Sequence, residues 1–499
     1  FKAAEKGNYE IVEILINNGA DINAKTRFNT SAIHFAAFYN KVEIIKLLVE
    51  KGADFNLRNS QGIVPIFYAA MRGAIESVKC LIEHGADYKV KDDNKQNLLH
   101  AASANGNTEL MKYLINKNLD LHSADIYNKT PLFYAAEKGL TEITDMYIEN
   151  GDIDYQTITT DGSTYLHAAA KGGLLKFVDK IIEDGVDINS ANVYNYTPID
   201  IAEMAGHQEI VDLLILKGAE STENKFKTQA GEFLGQPKPG SIPELFAPGI
   251  ISTPELNERD VTFSLDGTEL YFTRWPVERV WNIMVVKQTE SGWTDAEPAS
   301  FMKPYHHAEA CFTPDDKKMF FISNRPADGE GEAENWEIWF TERTSSEWNE
   351  PNLLGEEFKG GFYPTFTNDW RLYYTDANAD ISCADLVDGK YTNINRFGDA
   401  VNTDGAEYNS CIAPDESYLI FTSDGQPDQL GKGDLYICFR NDDGTWTNAK
   451  NMGPKINSWA LDYCPAVSRD GKYFFFSSRK YGNEDIFWVE TKIFDNLRN

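Results

Sequence analysis

Eight residues in the second half of the chain have types and spacing that suit chemistry. Glu258, His307, Glu407 and Asp462 each stand five residues before an apolar marker that leads into an Asp-containing turn. Asp260, Glu309 and Tyr363 stand three before it, and Arg259 lies between the first pair of carboxylates. If the marked segments surround a common axis, these side chains converge at the mouth of a channel. Carboxylates that close repel one another, and relief comes from a proton, a cation, water, or neighbours such as His306, His307 and Arg259. Oxygen ligands of this kind fit Ca²⁺, whereas no Cys/His cage is present for zinc. Carboxylates between aromatic faces also suit a sugar or another small ligand, and two of them would serve as the acid and base of a glycosidase. Loops at a channel mouth are polar in any case because water reaches them. The residues leave all three readings open, and no metal is assigned.

The elements that would position these side chains are strands. The markers and turns are Phe263 with Asp266-Gly267, Phe312 with Asp315-Asp316, Phe366 with Asp369, Ile412 with Asp415, and Val467 with Asp470-Gly471. The turn aspartates are spaced 49, 54, 46 and 55 residues apart. Alternating strands such as Leu419 to Ser423 follow each turn, then a third strand, and a fourth beginning near Trp293, Trp348, Tyr391 or Trp446. Four antiparallel strands in ~50 residues, repeated, describe propeller blades. Five units can be found; six blades is the alternative count. The last unit runs out of chain before its fourth strand, and residues 240–252 carry the offsets of that strand, so they are expected to close the ring.

This half, residues 233–499, resembles the WD-repeat-like, TolB-type β-propellers. The phrase Ala413-Pro414-Asp415-Glu416-Ser417-Tyr418 and the lead-in Phe233 to Gly240 carry the resemblance. It implies a binding module, commonly bacterial and periplasmic or secreted, with a cytoplasmic place as the alternative. A propeller specifies fold strongly and function weakly.

The first half repeats every 33 residues. Gly19-Ala20-Asp21 recurs at Gly52, Gly85, the degenerate Asn118, Gly151, Gly185 and Gly218. In the same phase stand Ile33-His34, Ile66-Phe67, Leu99-His100, Leu132-Phe133, Leu166-His167 and Ile199-Asp200, followed by small residues such as Ala36-Ala37. The period predicts a helix pair ended by glycine in the left-handed conformation, too short to bury its own apolar face and therefore stacked into a solenoid. Thr130-Pro131-Leu132-Phe133 and Thr164-Tyr165-Leu166-His167 make it resemble the ankyrin repeat, with six full repeats and one truncated repeat over residues 1–220. Phe1 aligns with His34, so the chain is expected to begin inside a repeat.

That resemblance implies a concave recognition face and projecting fingers that bind a protein partner. His34, His100 and His167 sit where the fold hydrogen-bonds neighbouring loops, which outweighs a catalytic reading. At the expected finger tips, Phe28, Tyr127 and Tyr194 are aromatic, a residue class preferred as interface anchors.

Composition separates the halves. All ten tryptophans lie in the second. Residues 221–239 are polar and rich in Gly and Pro, which reads as a linker between domains 1–220 and 240–499. The net charge of -30 argues against nucleic acid, which needs a basic face. No apolar run is long enough for a membrane span. The six cysteines form no C-x-x-C pair and read as small buried thiols. No Walker loop, dinucleotide fingerprint or nucleophile elbow occurs. The chain is expected to be a non-enzymatic recognition protein. The alternative is a carbohydrate-active or metal-dependent enzyme that uses the channel carboxylates.

Overall fold

A computed structural model describes residues 1–221, 231–275, 280–326, 335–344, 347–403 and 405–498. The chain divides into two compact units, Phe1–Thr222 and Glu223–Asn499. Residues 222–230 of the 221–239 linker, and the acidic stretch 327–334, lie outside the described residues.

The first unit is all α. Its helices come in seven pairs, from Lys2–Lys6 with Tyr9–Asn17 to Pro198–Met204 with Gln208–Leu216. The first helix of each pair packs on the first helix of the next. Ala36-Ala37, Ala69-Ala70, Ala135-Ala136 and Ala169-Ala170 are fully buried there and let the backbones approach. Gly7, Gly73, Gly106, Gly139, Gly173 and Gly206 leave the first helix with φ between 65° and 82°, as the period predicts. Asn40, at φ 55°, fills the same place in the repeat that lacks the glycine. The second helices bury one stripe, for example Ile44, Ile45, Leu47 and Leu48 of Val42–Glu50.

The repeated histidines tie one repeat to the next. The backbone N–H of Ser31, Asn97 and Thr164 donates to Nδ1 of His34, His100 and His167. Each ring then reaches 29 residues ahead, with Nε2 at 3.2 Å from Ile63 O, 3.2 Å from Lys129 O and 3.0 Å from Tyr196 O. That pattern fixes the Nε2–H tautomer. Burial lowers the pKa of all three, to about 4 for His100. These are structural histidines.

Among the described residues the second unit holds five antiparallel sheets, one per blade of a five-bladed propeller. The inner strands are Asn257–Phe263, His307–Phe312, Phe362–Phe366, Ala406–Ile412 and Asp462–Val467. The turn aspartates after them accept local hydrogen bonds, such as Thr268 N and Ser264 Oγ on Asp266, and Lys472 N and Ser468 Oγ on Asp470. The sheet that starts with Asp462–Val467 takes its outer strand from Glu244–Leu245, which pairs antiparallel with Asp485–Glu490, Glu244 facing Trp488. Phe246 is fully buried beside it, edge-on to Phe475 at 5.1 Å and to Trp488 at 5.2 Å.

Candidate functional site

Every inner strand bulges at the same place, and the bulge decides where the candidate residues point. Asp260, Glu309, Tyr363, Asn409 and Cys464, the five residues three before the marker, all have positive φ, between 41° and 60°. Strand pairing slips around each of them. A bulge re-aims the side chain it carries. As a result the two rows expected to share a channel mouth take different positions.

The row five before the marker serves the loops. Glu258 accepts from Thr253 N and from Thr253 Oγ1 at 3.0 Å. Glu407 accepts from Thr403 N at 3.0 Å and Thr403 Oγ1 at 2.7 Å. Asp462 accepts from Ser458 N at 2.5 Å and Ser458 Oγ at 2.9 Å. Arg274 completes the first of these, with Nε 2.9 Å from Glu258 Oε1. All three carboxylates are fully buried, as is His307. Burial raises Glu258 to about 7, against the pull of Arg274, raises Asp462 and lowers His307 to about 4. They are not exposed at a channel mouth. The loop that arrives from the preceding blade covers each strand entry, and the carboxylate caps that loop. Glu258, Glu407 and Asp462 are therefore each committed to their own loop. Among the described residues, no group of three or more His, Cys, Asp or Glu is arranged to hold a metal.

The row three before the marker does converge, inside the channel. Arg259 joins two of its members: Nη2 lies 3.3 Å from Glu309 Oε1, and Nε 3.5 Å from Asp260 Oδ2. Glu309 also accepts from Tyr363 N at 2.9 Å and from Asn409 Nδ2 at 3.5 Å. The Tyr363 hydroxyl crosses to Pro465 O at 3.0 Å. Burial raises Asp260 to about 8 and raises Glu309, while Arg259 opposes both shifts. The guanidinium occupies the place the carboxylates would otherwise offer a cation. Its other face lies 4.2 Å from the Trp281 ring, which stacks on Trp275 at 5.1 Å and tilts against Trp336 at 5.2 Å. These aromatic faces are engaged with each other and with Arg259. Below this plug, a cavity of ≈ 90 Å³ opens toward the turn end of the inner strands, floored by Asp260, Glu309 and Tyr363.

In the first unit the finger tips form a ladder. Ser60 N donates to Phe28 O, Asp93 N to Gln61 O, Ile126 N to Asn94 O, Thr160 N to Tyr127 O and Val193 N to Asp161 O. Phe28 is 55% exposed and Tyr127 half-buried, but Tyr194 is 2% exposed. Its ring is therefore closed to a partner, which corrects the expectation drawn from its place in the repeat. Phe28 instead borders a groove of ≈ 440 Å³ with Phe35, Phe38, Tyr39 and Tyr68. Arg27 lies 4.6 Å from the Phe28 ring and Arg72 4.9 Å from the Phe38 ring. Neither arginine has an acidic partner among the described residues. Phe35, Phe38 and Tyr68 are not marked by the repeat because they sit one to four residues beyond the marked His/Phe position, where the repeat imposes no residue type. The run Phe35, Phe38, Tyr39 is the signal that would have found them.

Three family-model matches agree with the helical unit: residues 1–92, 66–157 and 143–225 each match ankyrin repeats. Among solved structures, the chain is similar to the ankyrin repeat domain of human ASB11, at 24% identity over 44% of this chain and 98% of that chain, with a TM-score of 0.39. No curated protein matches the chain. Residues 1–225 thus match ankyrin repeats, and the chain continues into a five-bladed β-propeller.

Proposed function

We propose that this protein is a non-enzymatic interaction scaffold, with residues 1–220 and 240–499 as separate domains joined by 221–239. The observation that carries the reading is the aromatic groove beside the first complete finger. Ankyrin repeats are an architecture of protein-interaction scaffolds, and grooves lined by exposed aromatic rings are where interface energy concentrates. The charge of the groove narrows the partner. In a chain of net charge -30, Arg27 lines the groove and Arg72 lies over the ring of its Phe38, both without an acidic partner among the described residues. An acidic segment that presents an apolar side chain would satisfy both features, the apolar group entering between Phe28 and Tyr68 and its carboxylates meeting the arginines.

Fluorescence anisotropy on the full chain tests this with two labelled peptides, one Phe flanked by glutamates and the same Phe flanked by lysines. The acidic peptide should bind more tightly, more weakly as salt rises, and about tenfold more weakly to Arg72→Glu. Equal binding of both peptides, or binding of neither, would reject the groove as the docking surface. The enzyme alternative finds less support, because three of its candidate carboxylates are committed to their own loops.

A further inference from the structure

One blade edge is unlike the others. The sheet that starts with Phe362–Phe366 ends in Lys390–Arg396, a strand of seven residues that pairs only with Ile381–Val387. The outer strands of the other four sheets, such as Asn352–Leu353 and Lys450–Asn451, have two residues each. Propellers keep their edges short because an edge strand presents a row of unpaired N–H and C=O groups. Among the described residues, nothing beyond Ile381–Val387 pairs with the backbone of Lys390–Arg396. Six of its seven residues are exposed, and only Tyr391 is buried. Ile394 is 44% exposed, and Leu386 and Val387 of the paired strand are 38% and 45% exposed. What such an edge lacks is a further strand of backbone.

The charges select which strand. At a net charge of -30, two copies of the chain repel over most of their surface. Lys390–Arg396, however, contains no acidic residue, and its two ends differ. Lys390 has no acidic partner among the described residues. Arg396 is bonded to Asp380 at 2.6 Å, and Asp376 and Asp399 act on the same guanidinium. That end therefore holds three carboxylates around one cation. An antiparallel two-fold brings Lys390 of one copy beside Arg396 of the other, and so delivers a free cation to each acidic end. The register centred on Asn393 sets Thr392 opposite Ile394 and Asn393 opposite itself, with no charge between them. Pairing with Ile381–Val387 slips between Thr392 and Asn395, where Asn393 has φ 52° and turns its side chain back to Asp385 Oδ2 at 3.4 Å. The irregularity thus lies at the axis. It keeps the edge from pairing along its whole length, so the contact is a reversible one.

We propose that Lys390–Arg396 is a self-association edge: two copies of the chain pair antiparallel along it, joining two blades into one sheet across a two-fold axis. The edge and the aromatic groove lie in different units, so failure of either reading leaves the other standing.

Sedimentation velocity on the full chain tests it over about a hundredfold range of protein concentration. The mass should rise with concentration from 56.3 kDa toward twice that value. Thr392 and Ile394 are both exposed, so charges placed there stay out of the core. Thr392→Lys with Ile394→Lys sets cation against cation across the axis and should weaken dimerisation about tenfold or more. Thr392→Lys with Ile394→Glu sets opposite charges there and should restore it. Lys390→Glu adds a carboxylate to the acidic end of the other copy and should also weaken it. A chain that stays at 56.3 kDa throughout overturns the proposal. Dimerisation unchanged by the paired lysines or by Lys390→Glu places the contact elsewhere and overturns it too. So does a Thr392→Lys, Ile394→Glu chain that dimerises no better than the paired lysines. Circular dichroism checks the fold of each variant; should the double variants fail to fold, the unaltered chain and Lys390→Glu still decide.

Discussion

His100 is neutral in the folded array and, once unfolded, would titrate at its ordinary value of 6.5. Between about 6.5 and about 4 the unfolded chain therefore binds more protons than the folded one. The array should be fully stable above about 6.5 and lose stability as pH falls through that window, by roughly 2 kcal/mol from His100 alone at pH 5. His34 and His167 act in the same direction. Urea unfolding of the ankyrin unit at pH 7.5 and 5, followed by circular dichroism, checks this; a midpoint that is flat or rises on acidification contradicts it. Asp260 has the opposite sign. Its folded pKa is raised, so its contribution is present in full below the ordinary carboxylate range and is lost as pH rises through about 8. The histidines were legible because each recurs at one phase of the repeat. The loop-capping role of Glu258, Glu407 and Asp462 was not, since their partners Thr253, Thr403 and Ser458 lie four or five residues upstream, outside the strand pattern. A hydroxyl residue at that distance before a carboxylate is the signal they leave. Glu407→Ala would strip Thr403 and Ser423 of a buried acceptor. It should cost about 2–4 kcal/mol of propeller stability, measured by chemical denaturation.

At the scale of elements, two close approaches show what the repeats demand. A Cβ on Gly172 would lie 1.9 Å from Ala136 O, where neighbouring first helices meet. Gly172→Ala should therefore force those helices apart, at a cost of about 2 kcal/mol or more, visible as a lower midpoint of the ankyrin transition. The second approach is the short strand Glu244–Leu245 on Asp485–Glu490. Two residues of ladder hold little by themselves, and the contact gains its strength from Phe246 between Phe475 and Trp488. Phe246→Ala should cost about 3–5 kcal/mol and lower the propeller transition alone. Helix pairs, blade count and turns were readable because glycine at left-handed φ and aspartate in turns are demanded by the backbone and repeat with it. The bulges were not readable. Asp260, Glu309, Tyr363, Asn409 and Cys464 share a backbone conformation and no side-chain chemistry. Sequence position therefore placed Asp260 and Glu258 at one mouth, although the bulge sends one into the channel and leaves the other with its loop.

For the whole molecule, separate repeat systems in the units Phe1–Thr222 and Glu223–Asn499 lead to an expectation of two cooperative transitions. Residues 1–220 and 240–499, expressed apart, should each unfold at the midpoint the full chain shows for that unit; a shift of several degrees in either would mean that the units stabilise one another. The two units also differ in what they require of a growing polypeptide. In the helical array each pair packs on the pair just made, so order can spread from the first repeats while later ones are still being added. The propeller has no such option. Glu244–Leu245 emerges about 240 residues before its partner Asp485–Glu490. Until that partner arrives, the ring has an open edge, with Phe246 uncovered. Ring closure therefore waits until Asp485–Glu490 has been made. A ribosome stalled anywhere between those strands would display an adhesive sheet edge next to a finished ankyrin array, which makes this interval the one in which the nascent chain depends most on chaperones.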